Sequence, residues 1–315
     1  MKKLFDWFDN NILGLLAGFL LVFIPLYPKV PLFDIIPGYI VRIRLEDLLI
    51  SFTIFIWLIL LVRKKITLKD NPLFKPIALY LIFGLLSVLT AIFVVHTVPL
   101  QKLHIEKIVL HYIRRIEYFS LFFIFFSSIK SFRQVKIYLT LFIITVLSVT
   151  IYGYGQKYFY WPAFSTMNRE FSKGFMLYLG PHGRVLSTFG GHYDLAAFTM
   201  IGLLILWSIF FSIKNKIAKL ATFLIICGAF WLLILTASRI SFLAYLGGLV
   251  FLFFLWAYKK GVGWALGRYL MVSALSILIM MSFGDLGDRF NKLLRLNERL
   301  SGIRDLVLKP AVAPP

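Results

Sequence analysis

Apolar positions run in blocks rather than in an alternating or narrow-stripe pattern. Nine blocks reach the roughly 20 residues that a bilayer core asks of a helix. They fall at about 10 to 27, 45 to 62, 76 to 95, 113 to 129, 137 to 155, 193 to 212, 219 to 236, 240 to 258 and 269 to 284. The seventh and eighth blocks are almost continuous. Read as one helix, they would be about 57 Å long, nearly twice the hydrocarbon thickness. The chain must therefore turn back, and the polar cluster Thr236, Ser238, Arg239 and Ser241 marks where. The pattern predicts an all-α polytopic transmembrane helix bundle of about nine spans, with residues 1–284 as the membrane domain and 285–315 as a tail.

The polar connections set the orientation. Lys2 and Lys3, RKKITLK, KSFRQVK, KNKIAK and KKGVGWALGR occupy alternate connections. The positive-inside pattern makes these cytoplasmic, together with the N-terminus, and puts the tail outside. The start is basic and then apolar like a signal peptide, but no small-residue cleavage site follows, so it reads as an uncleaved first span. On this topology the cytoplasmic side holds 13 Lys and 3 Arg, and the outer side 7 Lys and 11 Arg. The guanidinium fork makes two parallel hydrogen bonds to phosphate or carboxylate, so the outer bias suits a phosphorylated ligand. For any single outer arginine, snorkelling to lipid phosphates is the competing role.

Composition agrees with the pattern: 60% of the 315 residues are hydrophobic and 15% charged, too much apolar surface for one soluble core. The net charge of +20 is scattered through short connections, with no basic domain to form a groove. It therefore points to membrane lipids as partners rather than nucleic acid. The one cysteine, Cys227, lies in an apolar run and allows no disulfide framework.

Three connections on the outer side carry the remaining information. Residues 28 to 44 are too short to cross and contain three prolines, so an outer loop or shallow re-entrant piece is expected. In residues 101 to 117, Ile105, Ile108, Tyr112 and Ile116 share a face while His104, Glu106, Lys107, His111, Arg114 and Arg115 lie largely elsewhere. This reads as an interfacial helix leading into the fourth span. His104 and His111 have no third ligand candidate nearby, and no metal is expected. Residues 156 to 192 form the longest internal connection, and their aromatics read as a membrane-interface belt or a stacking surface for sugars.

No phosphate loop of the form GxxxxGK[ST] occurs, and GVGWALG lacks the spacing of a dinucleotide fingerprint. Cytoplasmic connections of about a dozen residues or fewer leave no domain for a nucleotide. Any substrate must arrive activated and be handled at the outer face. No cofactor is expected.

GRVLSTFGGHYDLAAF at the start of the sixth span and LTASRISFLAYLGGLVFL at the turn between the seventh and eighth resemble the paired arginine motifs of the O-antigen ligase and polymerase superfamily. RLEDLLISFTIFIWLI also looks like the start of that family's second span, and the resemblance runs from about residue 40 to 290. It implies a multi-pass inner-membrane glycosyltransferase acting at the outer face on polyprenyl-pyrophosphate-linked glycans, without metal or nucleotide. Carried over, it implicates Arg184 and Arg239 in binding the donor pyrophosphate and offsetting charge on the leaving group.

Two roles are open to His192: a base toward an acceptor hydroxyl, or the residue at which a helix begins. For Asp194, Glu46 and Asp47, each at a span start, helix capping leads. The family's ligases continue into a large outer loop with a histidine proposed as catalytic. Here the sequence after Gly284 contains no histidine, which suggests a chain that stops within that loop or a divergent short member. Arg289, Arg295, Arg299 and Arg304 of this tail would suit an amphipathic outer helix. A lipid-linked glycan flippase or other transporter is the alternative and would need charged residues along a path through the bilayer.

Overall fold

The computed structural model describes residues 2–36, 42–68, 71–168 and 170–282. The proposed tail and its four arginines lie outside them. Nine α-helices are present among the described residues: α1 Lys2–Leu26, α2 Leu45–Val62, α3 Phe74–Phe93, α4 Lys102–Ser128, α5 Phe132–Tyr158, α6 His192–Ser212, α7 Lys216–Leu235, α8 Arg239–Lys260 and α9 Val262–Ser282. Eight are long and apolar enough to cross a membrane; α4, with its charged first half, is the ninth. The chain is an all-α, multi-pass transmembrane bundle. Its outward faces carry side chains such as Phe83, Phe251, Phe254 and Ile240, which are well exposed and at home only in lipid.

Two segments depart from the sequence pattern. The proline-containing connection before α2 forms a short antiparallel ribbon, β1 Pro31–Asp34 with β2 Arg42–Arg44, tied by an Arg42–Asp34 ion pair of 3.0 Å. Pro31 stands at the first residue of β1, where proline's missing N–H is tolerated. Residues 102–128 make one uninterrupted helix rather than an interfacial helix followed by a span. No Gly or Pro interrupts that stretch.

The chain divides into two compact units. Among the described residues, the first comprises those up to 145 and those of 164–175, the second those of 146–163 and of 176–282. In the first, α4 packs against α1, α2 and α3. Leu13, Ala17, Trp57, Leu60, Ile77, Phe123 and Ile124 form the core. Ion pairs pin the α1–α2 hairpin at both ends, one of them buried on both sides. At one end, Arg63 makes two hydrogen bonds of 2.6 and 2.8 Å to Asp9. At the other, Lys29 is bonded to Glu46, which also accepts from Arg44 at 3.1 Å. From Asp9 to the end of α1 at Leu26 is about 26 Å of helix, so the charges lie near the two faces of a hydrocarbon slab. Burial pushes the Lys29 ammonium down from its ordinary value, against the opposing pull of Glu46.

Asp47 caps α2 from within, accepting from the Arg44 backbone N–H at 2.9 Å, and receives Arg114 of α4 at 3.0 Å. In the second unit, α6 packs on both α7 and α8, and α8 on α9. Leu195, Leu203, Leu206, Leu232, Leu233, Phe242 and Leu249 are almost wholly buried.

Candidate functional site

The site lies where α6 begins, α7 ends and α8 begins, all in the second unit. α7 and α8 are separated by three residues. Thr236 bonds back to the Leu233 carbonyl at 2.6 Å, Ala237 adopts a left-handed backbone with φ 51°, and Ser238 caps α8. The turn falls in the polar cluster that the pattern singled out. Arg239 is the first residue of α8, a helix with no acidic residue in its first turn. It is exposed, and among the described residues it has no hydrogen bond or ion pair. A lone cation at the positive end of a helix dipole favours an incoming anion.

The segment carrying Arg184 is fixed by backbone bonds and by one amide. Gly183 closes a turn on the Gly180 carbonyl at 2.8 Å, and Lys157 donates to the Pro181 carbonyl at 2.6 Å. Val185 N–H then donates to the Leu235 carbonyl at 3.2 Å, sewing the residue after Arg184 to the last residue of α7, four before Arg239. Ser187 has a left-handed φ of 51°, uncommon for a residue with a Cβ, and the buried Gln156 compensates it. The Gln156 amide accepts from Ser187 N–H at 2.7 Å and donates to the Ser187 and Pro162 carbonyls at 2.8 and 3.0 Å. Gly153, one turn earlier in α5, permits the close approach. A Cβ there would come within 2.5 Å of Leu232 and 3.3 Å of Val185.

Arg184 is half-buried, and its Nη1 lies 2.6 Å from Nε2 of the buried His192 and 3.5 Å from the Tyr193 hydroxyl. A guanidinium has donors only, so Nε2 accepts and the ring proton sits on Nδ1. His192 is also the first residue of α6, behind the N-cap Gly191. It thus orients the arginine with the lone pair that a general base would use on an acceptor hydroxyl. Asp194 sits in the first turn of α6 but is not its N-cap.

The structure therefore ties the backbones that present Arg184 and Arg239 to one end of the second unit, and joins His192 to Arg184 directly. Gln156 and Tyr193 were not singled out from the sequence. The available signal was an amide closing the apolar run that ends GYGQ, and a tyrosine beside His192. Farther along the same helices, α6 to α9 line a partly open apolar cavity of about 430 Å³ walled by Trp207, Phe230, Trp231, Tyr245 and Met271. Among the described residues, no three His, Cys, Asp or Glu side chains are grouped as a metal site would need. No protein-family model, no curated protein and no solved structure matches the chain.

Proposed function

We propose that this chain is an outer-face glycan ligase or polymerase module of the inner membrane, a glycosyltransferase in surface polysaccharide (O-antigen-type) biosynthesis. Its donor is a glycan linked to polyprenyl (undecaprenyl) pyrophosphate. Arg184 and Arg239 hold the pyrophosphate and offset the charge that grows on it as the glycosidic bond to the sugar breaks. The acceptor hydroxyl oxygen forms the new bond to the sugar and its proton passes to solvent, while polyprenyl pyrophosphate departs with the electron pair of the broken bond. His192 holds Arg184 in position.

The observation that carries this reading is the hydrogen bond from Val185 N–H to the Leu235 carbonyl. It supports placing two outer arginines, one of them without a partner among the described residues, beside the same helix end. An anion of two linked phosphates suits two such cations, because bidentate guanidinium contacts are directional and strong. The apolar cavity among α6 to α9 offers room for part of a hydrocarbon chain once the phosphates are held at the helix ends. The ion pairs of the first unit, Asp9–Arg63 and Lys29–Glu46, stand near the ends of the apolar spans Trp7–Leu26 and Leu45–Val62 rather than along a path through the bilayer. That placement gives the transporter alternative no support.

The test is transfer of surface polysaccharide by Arg184→Ala and Arg239→Ala chains whose membrane insertion is verified. Each is expected to abolish transfer. Normal transfer with both replaced refutes the reading.

A further inference from the structure

A second cationic group lies in the first unit, apart from the proposed transfer site. α3 and α4 pack side by side and leave an open groove of about 380 Å³ between them, lined in part by Tyr80, Gly84, Ser87, His111, Tyr112 and Arg115. Tyr112 is held against α3 by its hydroxyl on the Leu81 carbonyl, 2.8 Å away. Its ring lies 3.3 Å from where a Cβ on Gly84 would stand, so glycine lets the two helices meet beneath the groove.

The depth of the groove follows from neighbouring contacts. Arg114 donates to Asp47 at 3.0 Å, and Asp47 belongs to the first turn of α2. Lower down, Trp57 of α2 and Phe74 of α3 both pack on Phe123 of α4, with ring centroids 6.3 and 6.0 Å apart. The 18 residues of α2 span about 27 Å, close to the hydrocarbon thickness, so the first turn of α2 marks a membrane boundary. Arg115, next to Arg114, stands at that boundary, the level of lipid phosphates.

The electrostatics there are one-sided. Arg114 has a carboxylate; Arg115 does not. Among the described residues the hydrogen bond of Arg115 runs from Nη1 to the Tyr80 hydroxyl at 2.5 Å, with no ion pair. Lys107 and His111 precede it by two turns and one turn, on the same stripe of α4. Below Tyr80, toward the Phe74 end, α3 turns Phe74 and Leu79 outward, 41% and 53% exposed.

We propose that this groove holds the headgroup phosphate of one anionic glycerophospholipid, with Arg115 and Tyr80 as donors to the phosphate and the acyl chains lying along the exposed face of α3. A basic pocket between membrane helices at headgroup depth suits that ligand, and an otherwise uncompensated guanidinium gains a counter-ion from it. The proposal is independent of the pyrophosphate reading, because it involves neither Arg184 nor Arg239.

The test is native mass spectrometry of the full chain in detergent, offered phosphatidylglycerol, phosphatidylcholine and an isoprenoid monophosphate in equal amounts. The wild-type chain is expected to keep one phosphatidylglycerol under activation that strips the other two. Arg115→Met should lower that retention about tenfold, the scale of one lost hydrogen bond to a charged group. Ser87→Trp fills the groove without touching the charge and should do the same, while Arg115→Lys retains most of the binding. Wild-type retention in both Arg115→Met and Ser87→Trp overturns the site. Preferential retention of phosphatidylcholine or of the isoprenoid phosphate overturns the choice of lipid.

Discussion

Nη1 of Arg184 lies 2.6 Å from Nε2 of His192, so the imidazole presents its lone pair to the guanidinium. In the proposed function this relation gives His192 a positioning role. His192→Ala should reduce transfer about tenfold, on the scale of one hydrogen bond to a charged group, and His192→Gln should restore much of it through the amide oxygen. The two variants should differ in affinity for an isoprenoid pyrophosphate, measured by calorimetry. Were the ring instead the base for the acceptor, His192→Gln would bind the donor normally and fail in turnover.

Gln156 replaces three backbone partnerships with one side chain. Gln156→Ala leaves the buried Ser187 N–H and carbonyl without that partner, at about 1–3 kcal/mol for each unsatisfied group. Gln156→Glu keeps an acceptor but removes the donor and should be no better. Thermal unfolding in detergent measures the loss, and wild-type stability in Gln156→Ala would remove the clamp from the account.

At Gly153 the limit is space. An added Cβ would come within 2.5 Å of Leu232, so Gly153→Ala should cost about 1–3 kcal/mol by overpacking, and Leu232→Ala in the same chain should recover part of it. Unfolding midpoints of the two single variants and the double variant decide this. Additive losses would contradict the close approach.

Lys29 and Glu46 form a buried pair with side chains 8% and 9% exposed. Glu46→Leu strands the ammonium, a loss of about 3–5 kcal/mol, whereas Lys29→Met combined with Glu46→Leu should recover most of it. The folded-state pKa of Lys29 is lowered, chiefly by burial, and losing Glu46 removes a contribution that raises it. The charge penalty in Glu46→Leu is therefore full below that lowered folded pKa. It is relieved as pH rises through it, and is gone above the ordinary lysine value of about 10.4. A chain destabilised equally at neutral and strongly alkaline pH would contradict this.

The spans were legible because lipid leaves a helix little choice: a run of apolar residues near bilayer length must pair its own backbone groups. α2 begins and ends where the apolar block does, and the α7–α8 turn occupies the polar cluster. Capping by Asp47 was legible for a similar reason, since the partner is three residues away. The ribbon of β1 and β2 was not, because strand pairing depends on a register that a proline-containing stretch does not display. Nor was the continuity of α4, whose charged first half resembles an interfacial helix until Arg114 finds Asp47 across 67 residues of sequence. The Gln156 clamp and the Arg184–His192 contact are settled by backbone geometry in the connection, which lacks a period to read.

In the proposed function Arg184 and Arg239 bind one pyrophosphate together. Calorimetric titration of an isoprenoid pyrophosphate into the full chain, the two alanine variants and their double variant tests it most directly. Each single change should weaken binding about tenfold or more, and the double loss should depart from the product of the single losses, as coupled contacts to one ligand require. Wild-type affinity in the double variant would contradict it.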